Sequence, residues 1–339
     1  MKHLFQSYPK IPESFDAFQL SEADYRLFKK TDWVVTEKIH GANFCVLSNG
    51  EETQFAKRKA VLDEEENFFG YHSLRNHLTA QVAQVFAELK RQHADTVAVA
   101  VYGELFGGAY PHPDVTAVTG VQAIQTGIYY CPEVRFWVFD LVRITDTSSY
   151  FVDFDNMRET CDTVGLPYVP ALLVGTFSEV QNYAIEFEST IAGLLGLPAL
   201  PTPNLAEGVV IKPATSLLMD TAKGWVRPVI KKKIEKFGED IRYQQAKKWA
   251  GKAGESTVLG ELMQAVHQLV NKNRLQNVCS KIGIVNLADA AQKEQVRADM
   301  EADVWEAFWE QYSDRYFQIT SEEQAQVNAE VTQAIEQLL

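Results

Sequence analysis

The sequence predicts an α+β domain of antiparallel sheets with helices over residues 1–238, followed by a small all-helical domain over residues 239–339. Three observations predict it. Residues 31–237 alternate short β-rich runs with turns, the way a sheet-based domain with interspersed helices is written. Beyond residue 237 the texture changes to Ala, Gln, Glu, Leu and Trp at helical spacing, and no Pro interrupts it. At 339 residues with 46% hydrophobic composition, the chain is long enough for two cores.

The elements follow in order. Trp33, Val34, Val35 and Thr36 favour extended backbone, and alternation after them sends Lys38 and His40 to one face. Gly41 then permits a close backbone approach. Leu74, Leu78, Val82, Val85, Phe86 and Leu89 recur at helical spacing, which predicts an amphipathic helix over residues 74–93. Strands are predicted over residues 96–105, 135–143, 208–212 and 226–234, with Phe136, Val138 and Asp140 on one face of the second. Residues 107–127, with Pro111 and Pro113, read as a long loop. In the tail, Leu259, Leu262, Val266, Leu269 and Val270 form one apolar face. Val304, Trp305, Phe308, Trp309, Tyr312 and Phe317 are expected to pack another, punctuated upstream by Gly238 and Gly254.

Composition excludes several classes. The longest apolar stretch, near residues 191–200, is short and broken by Gly193, Gly196 and Pro198, so it cannot span a bilayer. The first ten residues lack the pattern of an export signal. Cys45, Cys131, Cys161 and Cys279 are scattered, with no close pair for zinc or redox chemistry, and free thiols point to an intracellular, reducing compartment such as the cytoplasm. A net charge of −13 argues against a protein that coats nucleic acid non-specifically, while leaving room for a local basic groove. Positive charge gathers at Lys57-Arg58-Lys59 and at Lys231, Lys232, Lys233 and Lys236, whereas Lys247-Lys248 and Asp63-Glu64-Glu65-Glu66 read as solvated.

Lys38 is the residue around which chemistry can be built, because a desolvated Lys amine is a nucleophile toward phosphorus or carbon. Alone, it reads equally as a solvated Lys guarding an edge strand. Its company decides. The order Lys38-x-x-Gly41, Tyr102-Gly103-Glu104, Phe136 to Asp140, Glu207 to Pro213 and Val229 to Lys233 resembles the motifs of covalent nucleotidyltransferases: DNA ligases, RNA ligases and capping enzymes. Glu37-Lys38-Ile39-His40-Gly41-x-Asn43-Phe44 resembles the RNA ligase 2 family, as do Ala56-Lys57-Arg58, Phe68 to Tyr71 and Asn277 to Gly283. The helical tail fits that family too, since a β-barrel would need strands after residue 237.

The resemblance implies a nucleotidyltransferase (ATP-grasp-like ligase) fold and ATP-dependent RNA ligation with Mg2+. Lys38 would form lysyl-AMP, pass AMP to an RNA 5′-phosphate, and join that end to a 3′-hydroxyl at a nick in duplex RNA. Lys231 and Lys233, two apart on a strand, would contact the AMP phosphate, with Lys232 turned away. Glu207 would bind the metal, Lys212 would face the phosphates, and Glu104 would accept from a ribose hydroxyl. Arg58 and Asn43 would touch sugar or phosphate, and Phe139 would stack on adenine. Glu37 and Ile39 would read the adenine edge through backbone groups; Asp140 would be catalytic or a structural support, and His40 a polar contact or structural. Lys57, Gln125 and Lys281 would meet RNA, with Tyr8, Asn277 and Ser280 also falling at family positions. A monomer is expected. The alternatives are another nucleotidyltransferase, such as a DNA ligase or guanylyltransferase, or an inactive RNA-binding relative that would need no nucleophile.

Overall fold

A computed structural model describes residues 1–221, 224–237 and 258–339. Two compact units are present, 1–234 and 235–339. Gly238, Lys247, Lys248, Gly254 and the expected boundary between residues 238 and 239 lie outside the described residues, as does the side chain of Lys236.

In the first unit the strands are β1 Trp33–Glu37, β2 Ala42–Ser48, β3 Thr53–Lys57, β4 Ala60–Val61, β5 Ala98–Ala109, β6 Cys131–Ile144, β7 Ser149–Phe151, β8 Ala171–Gly175, β9 Gly208–Pro213, β10 Met219–Thr221, β11 Gly224–Val226 and β12 Ile230–Lys233. They form a four-stranded sheet in the order β12-β9-β1-β8, a six-stranded sheet β4-β3-β2-β5-β6-β7, and the β10-β11 ribbon. Their pairings are antiparallel. The amphipathic helix Arg75–Gln92 buries Leu78, Val82, Val85 and Leu89 against the six-stranded sheet, in one core with Phe44, Val99, Val101 and Leu141. The four-stranded sheet buries Trp33, Val35, Val209 and Ile211 with Phe15, Phe28 and Phe177.

Three sequence expectations are corrected here. The strand expected over residues 226–234 is interrupted after Val226 and resumes at Ile230, because Pro228 has no N–H to give to a ladder. The strand expected over residues 96–105 begins at Ala98 and runs on through Gly107 and Gly108 to Ala109, so the loop starts later than Gly107. In β6, Tyr102 pairs with Asp140 but Gly103 with Val138, leaving Phe139 as an extra residue in a β-bulge. The bulge inverts the alternation: Leu141 follows Phe136 and Val138 into the main core, and Asp140 turns to the opposite side, where Tyr8, Tyr102 and Val142 pack.

The second unit contains helices Val258–Leu269, Lys272–Ile282, Ala290–Tyr316 and Ser321–Leu338 among the described residues. Leu262, Val266, Val304, Phe308, Val327 and Val331 meet in its core. Trp309 and Phe317 do not join them as the sequence suggests: they are 38% and 73% exposed. Trp309 falls one residue off the Val304–Phe308 stripe, and Phe317 lies just past the helix end.

Candidate active site

The site grows from the ends of β1, β9 and β12. Antiparallel pairing of β1 with β9 sets Glu37 opposite Val209, and the Lys38 amide donates to the Gly208 carbonyl at 2.9 Å. That register delivers Lys38 beside Glu207. Gly208 is needed for it, since its φ is +146° and a Cβ there would strike the Lys232 carbonyl of β12. Gly41 has a different reason: a Cβ would collide with the Leu105 carbonyl and crowd the Glu104 side chain.

Glu207 is 1% exposed and gathers its surroundings. Its Oε2 accepts from the Lys38 Nζ at 2.7 Å, its Oε1 lies 3.1 Å from the Lys233 Nζ, and the His40 Nδ1 is 3.2 Å from Oε2. Burial alone would raise this carboxyl. Lys38 and Lys233, with the His40 hydrogen bond, outweigh burial and hold it well below the usual carboxylate range. The Lys38 side chain is 22% exposed, so its amine is anchored from inside yet reachable from outside. His40 is fixed in turn, because its backbone N–H donates to the buried Tyr130 hydroxyl at 2.8 Å.

The six-stranded sheet supplies the opposing groups. Glu104 sits on β5 opposite Asn43 of β2, so the two side chains are cross-strand neighbours. Burial pushes the Glu104 carboxyl up to about 7, with the Glu207 charge adding to the rise, while Lys38, Arg58 and the Gly41 N–H oppose it. Lys38, Arg58, Glu104 and Glu207 therefore share one field. Gln125 donates to the Gly41 carbonyl at 3.3 Å, tying the long loop to the same turn.

The other expected residues are placed as follows. Ile39 is buried. Lys231 and Lys233 share a face of β12, and Lys232 turns away, donating to the Gln181 carbonyl at 2.6 Å. The buried Glu37 carboxylate accepts from the Ser189 hydroxyl at 2.6 Å and from the Thr190 N–H and hydroxyl at 2.8 and 2.7 Å. Lys57 is paired with Glu66 at 2.6 Å, so the acidic run is not wholly solvated. Lys281 binds Asp303 at 2.6 Å inside the helical unit, alongside Arg274.

Asp140, Phe139 and Lys212 form a second cluster with Tyr8. The Lys212 Nζ lies 2.9 Å from Asp140 Oδ1 and donates to the bulge carbonyl of Phe139 at 2.5 Å. Tyr8 donates to Asp140 Oδ2 at 2.5 Å and meets the Phe139 ring edge-on, with centroids 5.0 Å apart. Lys212 is thus held by Asp140, and burial lowers its ammonium from the ordinary value. Sequence reasoning missed Arg227, Ser189, Thr190 and Tyr130. Arg227 carried one usable signal, a lone cation beside Pro228 just ahead of a basic strand.

For a hard divalent cation, the carboxylate of Glu207 is the suitable donor. Among the described residues no group of three or more His, Cys, Asp or Glu is arranged as a metal cage. That donor set fits magnesium held by few protein oxygens and completed by water and phosphates.

Residues 31–233 match the RNA ligase family, and residues 253–337 match the T4 RNA ligase 2 C-terminal family. The chain is 32% identical over 313 residues to RNA-editing ligase 2 of Trypanosoma brucei brucei, covering 80% of this chain and 74% of that protein. It is 32% identical over 303 residues to the same organism's RNA-editing ligase 1, covering 74% of this chain and 64% of that one. Both relatives are mitochondrial proteins. A solved RNA ligase of Naegleria gruberi with ATP and Mn aligns with a TM-score of 0.46 at 14% identity, over 68% of this chain and 57% of that one. With one family match running from β1 to the last Lys of β12, and an identity of 32% sustained over most of its length, the chain belongs to the RNA ligase family.

Proposed function

We propose that the protein is an ATP-dependent RNA ligase that works through a lysyl-AMP on Lys38 and seals 5′-phosphate to 3′-hydroxyl RNA ends at nicks in a duplex. The observation that carries this reading is the seating of the Lys38 and Lys233 amines on the two oxygens of one buried carboxylate, Glu207, with Lys38 partly open to solvent.

In the first step the Lys38 nitrogen attacks the α-phosphorus of ATP. A P–N bond forms and the bond to pyrophosphate breaks; Glu207 holds the nitrogen in place, and the proton it sheds leaves to solvent on the open side of Lys38. In the second, an oxygen of the RNA 5′-phosphate attacks the same phosphorus and the Lys38 amine leaves. In the third, the 3′-hydroxyl oxygen attacks the 5′-phosphate, AMP departs and the strand is closed. All three are displacements at phosphorus, so positioning and neutralisation of phosphate charge must supply most of the rate. Lys233 and Lys231 present cations from one strand face, Arg58 offers a planar guanidinium, and Glu104 and Asn43 suit the ribose hydroxyls. Phe139 is the candidate adenine platform, with Glu37 and Ile39 beside the adenine edge. A magnesium ion held through Glu207 would polarise the phosphate oxygens. Lys57, Gln125 and Lys281 are the candidate RNA contacts. The free thiols fit action in a reducing compartment.

Incubation with α-labelled ATP tests the proposal. Label should appear on the wild-type chain, move to a 5′-phosphorylated RNA strand, and be released on sealing of a nicked RNA duplex. Label acquired from GTP instead, or sealing only where both strands are DNA, would overturn it.

A further inference from the structure

Asp140 is 2% exposed and lies on β6 of the six-stranded sheet. The cations that satisfy it come from the other sheet. Lys212 is on β9, and Arg227 lies three residues ahead of β12. Arg227 makes two parallel bonds to the carboxylate, NH1 to Oδ2 at 2.7 Å and NH2 to Oδ1 at 2.9 Å, with NH1 also 3.4 Å from the Tyr8 hydroxyl. Its guanidinium stacks over the Phe151 ring of β7, 4.1 Å from the centroid. It is a planar, bidentate, stacked arrangement that a Lys cannot reproduce.

The candidate site is divided along the same seam. Lys233 lies in the four-stranded sheet, with Lys38 and Glu207 at the ends of its strands β1 and β9, while Glu104, Asn43 and Arg58 belong to the six-stranded sheet or its edge. We infer that Arg227 is a positioning residue for the nucleotide: through Asp140 and Phe151 it clasps one sheet to the other and keeps the two halves of the site at the spacing a bound nucleotide requires. Lys212 adds a second strap, and its bond to the Phe139 carbonyl fixes the bulge. Arg227 touches no reacting atom in this scheme. The inference rests on the ATP-dependent reading above.

The test is the ATP dependence of lysyl-AMP formation in the full chain, for Arg227→Met and Arg227→Lys, beside thermal melting. Misplacing half of a binding site by a fraction of an ångström to one ångström weakens alignment by about 10–100-fold. Arg227→Met should therefore raise KM for ATP at least about tenfold, and Arg227→Lys, which keeps one bond to Asp140, should recover part of it. A role in stability alone would lower the active fraction, and with it the amplitude and kcat, at unchanged KM; that result overturns the inference. If the Met variant fails to fold, the Lys variant decides, since a wild-type KM there is equally fatal. Failure of the underlying reading looks different: the wild-type chain itself would take no label from ATP.

Discussion

Two buried carboxylates, Glu207 and Asp140, each hold two cations, yet the clusters differ in what they leave open. At Glu207 the Lys38 side chain keeps 22% of its surface exposed and each amine makes a single contact with the carboxylate. At Asp140 the Lys212 and Arg227 side chains are 4% and 8% exposed, and a Tyr hydroxyl closes the remaining approach. Burial would raise both carboxyls, and in both the cations win and hold them low. Ion pairing alone therefore does not mark a reactive centre. A nucleophile needs a pair that can be opened from one side, whereas a sealed pair acts as a strut.

Breaking each cluster should separate the two roles. The largest effect is expected from Lys38→Ala, which should remove lysyl-AMP formation by at least about a thousandfold because no other group can form the covalent bond. Its melting temperature should fall little, since Lys233 and His40 still face Glu207; undiminished labelling of this variant would end the assignment. Asp140→Ala should act the other way round. It strands Lys212 and Arg227 as buried like charges, a loss of about 3–5 kcal/mol in denaturant unfolding. A change under about 1 kcal/mol would show that water reaches the cluster freely.

Glu104 sharpens the contrast through pH. Its folded-state carboxyl is raised from 4.5 to about 7, so the folded chain holds a proton there that the unfolded chain has lost across that interval. The stability this contributes is present below about pH 4.5 and disappears as pH rises to about 7. Glu104→Gln should flatten that part of the stability profile by on the order of 2 kcal/mol after allowance for solvent screening, while Glu207 and Asp140, shifted low, act only at more acid pH. Identical slopes for the two proteins would contradict it. A smaller effect, about 1 kcal/mol, is expected from Ser189→Ala, which removes one of the hydrogen bonds on the Glu37 carboxylate. Smallest is Lys232→Ala, on the outer face of β12: stability within about 0.5 kcal/mol and adenylylation unchanged.

The legible parts of this molecule are local in origin. Runs of β-favouring residues announced β1, β5, β6 and β9, the spacing of Leu78, Val82, Val85 and Leu89 announced the helix at Arg75–Gln92, and alternation alone separated Lys231 and Lys233 from Lys232. Alternation failed at Phe139, because a bulge is set by how β6 pairs with β5 and leaves no mark on β6 itself. Ser189 and Thr190 were invisible for a similar reason: they reach Glu37 across 152 and 153 residues of chain, and nothing local to either segment points to the other. Trp309 and Phe317 were misread because aromatic composition predicts burial only on average.

Local sequence carries the side chains available, the course of β1, β5, β6, β9 and the helix Arg75–Gln92, and the place of Lys38 among motifs that resemble those of RNA ligases. Only the tertiary structure decided how those charges are divided: Lys38 and Lys233 to Glu207, Lys212 and Arg227 to Asp140. The physical reason is that the preference of a cation for one carboxylate over another falls steeply with distance and depends on how deeply the pair is buried, and both are set by the packing of sheets whose strands are far apart in the chain.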